Sequence, residues 1–381
     1  MKERTDSAVQ NADSARSAKG VVRLPEPLAL YRGGVLREVD IAYETWGEAD
    51  GDNLLLLFTG LSPSAHAASS PADPEPGWWE EMIGPGRPID TDRWFVVCMN
   101  SLGSCFGSTG PASPEPATGE PYRLKFPLLS VEDIARAASA ALAALGAPAP
   151  AVVAGASLGG MSALSFALQF AESAPRLMLI SSAVHARPFA IAIRSLQREA
   201  IRSDPAWQGG NYASGHGPVT GMRLARKIGM LSYRSPYEWQ ERFGRARVSS
   251  EALGPEASFD VEFEVESYLE AHAERFTGSF DANCYLYLSH SMDLFDAVEH
   301  GGGELGSAFA RLQTKEALVI GVESDILFPV TQQHELAVLL EAAGARVTAK
   351  FLPSPQGHDS FLVDIERFGP AVAGFLNSLK S

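Results

Sequence analysis

A serine on a glycine-rich turn is the residue in this sequence with the clearest chemical use. Gly155-Ala156-Ser157-Leu158-Gly159 fits the pattern G-x-S-x-G, with an apolar run before it and an apolar segment after it. A strand that runs into such a turn and a helix that leaves it form a nucleophile elbow. Free N–H groups at the start of that helix favour negative charge beside the serine. We therefore predict Ser157 as a nucleophile and the backbone N–H of Leu158 as one oxyanion donor.

A serine hydroxyl needs a base to take its proton and an acid to orient that base. After an elbow serine, the acid and then the histidine follow in chain order, each in a loop that leaves a late strand. Asp325 and His358 stand in such loops. Glu323 is the competing carboxylate, but it lies closer to its strand, which favours a structural role. The sequence therefore predicts a triad of Ser157, Asp325 and His358.

A second oxyanion donor is expected from the loop that follows the apolar run at 54–58. That loop begins Thr59-Gly60-Leu61-Ser62-Pro63, and the backbone N–H of Leu61 is our candidate. The alternative is an ordinary turn between a strand and a helix.

Short apolar runs alternate with helical segments through most of the chain, which predicts a mostly parallel sheet with helices on both faces. The predicted strands lie at 28–31, 39–43, 54–58, 94–99, 151–154, 177–180, 317–321 and 347–352. The predicted helices lie at 131–145, 158–170, 189–201, 222–230, 236–243, 265–276 and 363–379. Residues 185–310 contain helical patches but little strand signal, so we expect a helical lid there. The core is then 21–184 with 311–381, and the polar segment 1–20 is expected to be a disordered tail.

Composition narrows the classes of function. A formal net charge of −15 argues against nucleic acid and anionic membranes as partners, because their phosphates would be repelled. Three cysteines without paired spacing indicate a reducing compartment, hence the cytoplasm. The first 20 residues have no apolar core of a secretory signal, and no run is long enough to span a bilayer. We find no zinc, P-loop or dinucleotide pattern, so no metal and no cofactor are expected.

With these residues placed, residues 25–380 resemble the homoserine O-acetyltransferase family of the α/β-hydrolase superfamily. The resemblance rests on AYETWG at 42–47, NSLG at 100–103, GSTGP at 107–111, GASLGGM at 155–161, SDILFP at 324–329 and GHDSFL at 357–362. It implies an α/β-hydrolase fold and transfer of an acyl group from an acyl-CoA to the hydroxyl of a small amino acid, through an acyl-serine. It also implies that Arg226 holds the acceptor's carboxylate and Asp359 its amino group. A homodimer joined through the lid helices is a further implication.

The choice of substrates depends on three positions in this resemblance. The loop Gly60-Leu61-Ser62-Pro63 looks like the serine O-succinyltransferase branch of the family. Arg194 stands where an uncharged polar residue is usual, and its guanidinium would suit the distal carboxylate of a succinyl group. The alternative is a solvated arginine on the lid. Leu327 occupies a position linked to acyl choice, where homoserine-succinylating relatives carry arginine.

The leading hypothesis is therefore an L-serine O-succinyltransferase that uses succinyl-CoA as a substrate and supplies cysteine synthesis. A homoserine O-acetyltransferase for methionine synthesis is the main alternative. A homoserine O-succinyltransferase, a carboxylesterase and a non-catalytic binding relative are weaker ones.

Overall fold

The central sheet is made of short strands whose order in the sheet differs from their order in the chain. The computed structural model describes residues 17–248 and 261–379. In chain order the strands are β1 (Ser17–Arg23), β2 (Leu28–Ala29), β3 (Val35–Leu36), β4 (Asp40–Trp46), β5 (Leu54–Phe58), β6 (Ile83–Gly84), β7 (Ile89–Asp90), β8 (Phe95–Met99), β9 (Val152–Ala156), β10 (Arg176–Ile180), β11 (Glu316–Val322) and β12 (Arg346–Leu352). Eight of them form one sheet in the order β1-β4-β8-β5-β9-β10-β11-β12. Only the pairs β1–β4 and β4–β8 are antiparallel; from β8 to β12 all neighbours are parallel.

Helices follow most of the parallel strands. They are α1 (Val131–Ala144), α2 (Leu158–Gln169), α3 (Pro188–Ser203), α4 (Val219–Tyr233), α5 (Pro236–Phe243), α6 (Glu264–Phe276), α7 (Ala282–Leu294), α8 (Leu305–Phe309), α9 (Val330–Ala342), α10 (Ser360–Val363) and α11 (Ile365–Ser378). Short 3-10 helices lie at Arg123–Lys125, Ala171–Ser173, Pro205–Gly210, Ala297–Gly301 and Gly357–Asp359. No helix in the described ranges has the length and apolar character needed to cross a membrane.

Both faces of the sheet are covered. Along β5, Leu54 and Leu56 pack into one apolar cluster, which includes residues of α1 and α2, whereas Leu55 and Leu57 pack into a second cluster with residues of α11. Successive side chains of a strand point to opposite faces, so a wholly apolar strand is buried on both. The predicted α/β-hydrolase architecture is confirmed by this sheet and its two helical layers.

The helices α3 to α8 lie between β10 and β11 in the sequence, although these two strands are neighbours in the sheet. They occupy the part of the chain where strand signals were missing and a helical lid was expected. The predicted disordered tail is wrong for residues 17–20, because Ser17 to Arg23 pair with β4 along their whole length. The rest of that segment lies outside the described residues.

The sheet brings the predicted reactive loops to one edge. Phe58 at the end of β5 is level with Gly155 of β9, and Ile180 of β10 is level with Ala156. The carboxyl ends of parallel strands meet at the same edge, which is where open α/β sheets bind ligands. The loop after β5 therefore lies beside the turn that carries Ser157.

Candidate active site

Ser157 sits on a strained turn between β9 and α2. Its backbone has φ 56° and ψ −123°, a conformation that residues other than glycine rarely adopt and that costs about 1–3 kcal/mol. The turn needs the glycines two positions before and after the serine: a Cβ on Gly155 would lie 2.2 Å from the backbone of Gly159, and a Cβ on Gly159 would lie 2.4 Å from the carbonyl oxygen of Phe58. The predicted nucleophile elbow is therefore the geometry that the structure shows, with Leu158 as the first residue of α2.

The three residues predicted as a triad are joined by hydrogen bonds. Nε2 of His358 lies 2.8 Å from Oγ of Ser157, and Nδ1 of His358 lies 2.7 Å from Oδ2 of Asp325. The other carboxylate oxygen of Asp325 accepts the backbone N–H groups of Leu327 and Phe328, each at 2.8 Å. With both oxygens engaged, Asp325 can only accept from Nδ1, which leaves Nε2 free to take the serine proton. Glu323, the competing acid, is exposed and does not take this place.

Burial and nearby negative charge shift the pKa of His358 in opposite directions. Burial lowers the pKa of His358, but the negative charge of Asp325 and its hydrogen bond raise it, and the net effect is an increase above the ordinary value. The charge of Arg194 contributes in the lowering direction. Phe328 stacks on the imidazole with ring centroids 5.1 Å apart, which holds the ring in plane with its partners.

The loops that carry Asp325 and His358 are tied to each other and to the lid. Oγ of Ser324 donates to the carbonyl of Ser354 at 2.6 Å and accepts the N–H of Gly357 at 3.0 Å. Gly357 has φ 69°, and a Cβ there would lie 2.8 Å from the backbone of Arg234 in the lid. A residue with a side chain would therefore be strained and would push the histidine loop away from the lid.

A cavity of about 130 Å³ opens at Ser157 and His358. Its wall contains nearly all the other residues predicted for the site. They are Gly60, Leu61, Ser62, Pro63, Arg194, Arg226, Leu327 and Asp359. The structure therefore gathers residues that lie up to about 300 positions apart into one pocket, whereas Leu158 and Asp325 stand behind its surface.

The loop that carries Leu61 is held by three separate elements. Nδ2 of Asn100 donates to the carbonyl of Pro63 at 3.1 Å, and Nε1 of Trp78 donates to the carbonyl of Ser64 at 3.1 Å. His66 closes the loop, with Nδ1 2.9 Å from buried Glu44 and Nε2 2.7 Å from the carbonyl of Glu75. Both partners accept hydrogen bonds, which is why we assign a proton to each ring nitrogen. The negative charge and carbonyl outweigh burial, so the pKa of His66 is raised.

Arg226 and Asp359 present opposite charges to the cavity. Nε of Arg226 is buried and has no hydrogen-bond partner among the described residues, and the guanidinium lies 4.6 Å from the ring centroid of Phe276. Oδ2 of Asp359 lies 3.3 Å from Nε of Arg234. Burial raises the pKa of Asp359, although Arg234, His358 and Arg226 oppose that increase. Arg234 was not predicted, because nothing in its local sequence separates it from other lid arginines.

Arg194 is buried and not solvated on the lid surface. Only 4% of its side chain is exposed, and its Nε donates to Oδ1 of Asp293 at 2.6 Å. Nη1 and Nη2 are buried without a hydrogen-bond partner in the part of the chain that the structure describes. Leu327 adds a buried apolar surface to the same cavity. Asp293 was missed, since its role follows from the packing of α7 against α3 and not from a sequence pattern.

Comparisons with known proteins agree with this geometry. The alpha/beta hydrolase fold family matches residues 53–364. The chain is 60% identical over 363 residues to a serine O-succinyltransferase of Litchfieldella anticariensis, covering 94% of this chain and 98% of the relative. It is 56% identical to an L-serine/homoserine O-acetyltransferase of Streptomyces lavendulae, covering 94% and 97%. A crystal structure of homoserine O-acetyltransferase from Bacillus anthracis superimposes with a TM-score of 0.86 at 27% identity, covering 96% of this chain and 99% of that one.

Proposed function

The chain belongs to the alpha/beta hydrolase fold family and to the same family as the serine O-succinyltransferases, and we propose that it transfers succinyl from succinyl-CoA to the hydroxyl of L-serine. The observation that carries this proposal is the set of fixed charges on the cavity wall. Besides His358, the charged residues are Arg194, Arg226 and Asp359. O-succinyl-L-serine has two carboxylates and one ammonium group, which these charges complement. An acetyl ester of the same amino acid would leave one arginine without a partner.

The reaction follows from the positions of these groups. In the first half, Oγ of Ser157 attacks the thioester carbonyl while Nε2 of His358 takes its proton. The backbone N–H groups of Leu61 and Leu158 stabilise the oxyanion. His358 then returns the proton to the CoA sulfur, and a succinyl-Ser157 ester remains.

In the second half, the acceptor serine enters the space that CoA has left. Arg226 holds its carboxylate, for which a planar fork of donors is well suited, and Asp359 holds its ammonium group. His358 removes the proton of the acceptor hydroxyl, which attacks the ester carbonyl, and Ser157 recovers its proton as the leaving group. The cavity wall keeps bulk water from competing with the acceptor.

Two measurements test this proposal. Protein mixed with succinyl-CoA alone should carry one succinyl group on Ser157 by peptide mass spectrometry, and a Ser157→Ala variant should carry none. The values of kcat/KM for succinyl-CoA and acetyl-CoA, each with L-serine and L-homoserine, then decide the substrates. If acetyl-CoA with homoserine is the preferred pair, the proposal is wrong.

Homoserine O-acetyltransferase activity is the second candidate. The bifunctional name of the Streptomyces lavendulae relative and the fold match to a homoserine O-acetyltransferase favour it. Nη1 and Nη2 of Arg194 find no hydrogen-bond partner among the described residues, which argues for the diacid donor instead, because buried N–H groups without an acceptor are costly.

We further propose that the enzyme is a homodimer that works in the cytoplasm and supplies an activated serine for cysteine synthesis. Support for the dimer comes from apolar side chains exposed along α3 and α4. Phe189, Leu196, Leu224 and Leu231 are each at least 50% exposed. A surface of this kind is unusual unless another subunit covers it. Sedimentation of the wild type and of Leu224→Glu would test this: a dimer that becomes a monomer is expected, and a monomeric wild type would refute it.

The free thiols Cys98, Cys105 and Cys284 fit a reducing compartment.

A further inference from the structure

A buried cluster of two arginines and one aspartate lies where α3 and α7 meet. Oδ1 of Asp293 on α7 accepts a hydrogen bond from Nε of Arg194 at 2.6 Å. Oδ2 forms an ion pair with Nη2 of Arg198 at 2.7 Å without the geometry of a hydrogen bond. The exposed fractions of the side chains of Asp293 and Arg194 are 7% and 4%. Arg198 is 17% exposed and also donates to Oγ of Ser289 at 3.3 Å.

The cluster carries one positive charge more than it can compensate. One carboxylate serves two guanidinium groups that stand one helical turn apart, where like charges repel each other. Arg194 holds the hydrogen bond to Asp293, but its Nη1 and Nη2 find no partner in the described parts of the chain. Charged groups that are removed from water need a partner of opposite charge. A carboxylate that enters the cavity would supply the missing charge.

The same contact fixes the direction in which Arg194 points. A guanidinium is planar, so binding its Nε side to a rigid carboxylate sets the plane and leaves the Nη1–Nη2 edge as the free one. That edge is the one that binds a second carboxylate through two parallel hydrogen bonds. Arg194 lines the cavity that contains Ser157, and its charge is felt by His358. A carboxylate at this part of the cavity wall would be the partner that the free edge lacks.

We propose that Asp293 is a positioning residue for donor selection: it orients Arg194 and, because it is shared with Arg198, leaves the charge that the distal carboxylate of a succinyl donor neutralises. The proposal rests on the function proposed above and extends it to residues that touch no substrate. It assigns Arg198 a part as well, since without Arg198 the aspartate would neutralise Arg194.

Three donors separate charge from size. Succinyl-CoA and butyryl-CoA have acyl chains of equal length, but only the first has a distal carboxylate. Acetyl-CoA, whose acyl chain is too short to reach the distal position, shows whether a variant loses turnover in general. Asp293→Asn raises the positive charge of the cluster but frees the guanidinium of Arg194 from its fixed orientation. We expect the loss of orientation to lower the ratio of kcat/KM for succinyl-CoA to that for butyryl-CoA about tenfold or more, mainly through KM. Asp293→Glu, which keeps the charge, should recover part of that ratio.

Asp296→Asn is the matched control. Asp296 lies three positions further on and caps the 3-10 helix Ala297–Gly301 through the N–H of Val298. It should leave the donor ratio within about twofold of the wild type. If Asp293→Asn lowers turnover of all three donors equally, its role is merely structural and the inference is wrong. An unchanged ratio would also overturn it.

A second variant keeps the test decisive if Asp293→Asn does not fold. Arg198→Gln changes a more exposed side chain and brings the net charge of the cluster from +1 to 0, so the donor ratio should fall several-fold. A ratio equal to that of the wild type would refute the inference. Failure of the proposed function looks different, because the wild type itself would then show no preference for succinyl-CoA over butyryl-CoA.

Discussion

Replacing Asp325 by asparagine is expected to stop the reaction by reversing the tautomer of His358. An asparagine can keep its oxygen on the N–H groups of Leu327 and Phe328, where Oδ1 of the aspartate now accepts two bonds of 2.8 Å. Its NH₂ group then faces Nδ1 of His358, which must accept. The ring proton moves to Nε2, which points at Ser157 and can no longer act as a base.

The cost of escaping this arrangement sets the magnitude. Turning the amide around would place its NH₂ against two backbone N–H groups and leave these buried donors unsatisfied, at about 1–3 kcal/mol each. The active orientation is therefore disfavoured by about 2–6 kcal/mol, which corresponds to a loss of about 30-fold to about 10⁴-fold in kcat. The fold should survive, since the two local hydrogen bonds are kept.

The assay is continuous release of CoA thiol from succinyl-CoA with saturating L-serine, and circular dichroism serves to check folding. Glu323→Gln is the matched control, because Glu323 is an exposed carboxylate two positions away and should lose less than about twofold. Activity of Asp325→Asn within tenfold of the wild type would refute the tautomer argument. An equal loss in both variants would show that the wrong acid was assigned.

Three further outcomes are expected. Burial lowers the pKa of His358 but Asp325 raises it more, so the net pKa lies above 6.5. Because the neutral imidazole is the active form, a pH–rate profile should show kcat falling as the pH drops through that pKa, and a midpoint below 6 would contradict this. Gly159→Ala places a Cβ 2.4 Å from the carbonyl of Phe58, so the melting temperature and succinyl labelling of Ser157 should both drop sharply; a labelled variant of normal stability would count against the elbow geometry. Arg226→Lys replaces a fork of donors by one ammonium group, so KM for L-serine should rise at least about tenfold with little change in Ser157 labelling; an effect on labelling alone would place Arg226 with the donor.

Much of the fold and of the triad could be predicted from the sequence because the signals are local. The strand Leu54–Phe58 and the helix Pro236–Phe243 have the predicted bounds, and the remaining parallel strands of the central sheet differ by one or two residues. Most of these strands are short runs of buried apolar residues ended by glycine, proline or polar residues. The strand Ser17–Arg23 was missed, since its polar first half pairs at the edge of the sheet and carries no apolar pattern. The helices Ala282–Leu294 and Val330–Ala342 were missed as well, and both lack a strong amphipathic period.

The residues of the site fall into the same two groups, those with a local sequence signal and those without one. The positions of Ser157, Asp325 and His358 follow from motifs, so the structure brings together residues already singled out. Asp293 and Arg234 could not be found, because each acts through a partner on another helix that only the folded lid brings near. The burial of Arg194 could not be predicted either, because the sequence of an amphipathic helix does not show whether a single arginine faces the protein or the solvent.

The order of the triad along the chain determines when the protein can become active during its synthesis. Ser157 and His358 are separated by 201 residues, and the lid lies between them. At about 5–20 residues per second, a ribosome needs about 10–40 s to add that length. For this time the elbow serine exists without its base, so a nascent chain cannot consume thioester. Activity begins only when β11 and the loop that carries His358 have docked beside β10, so it follows synthesis of the lid and of the last strands.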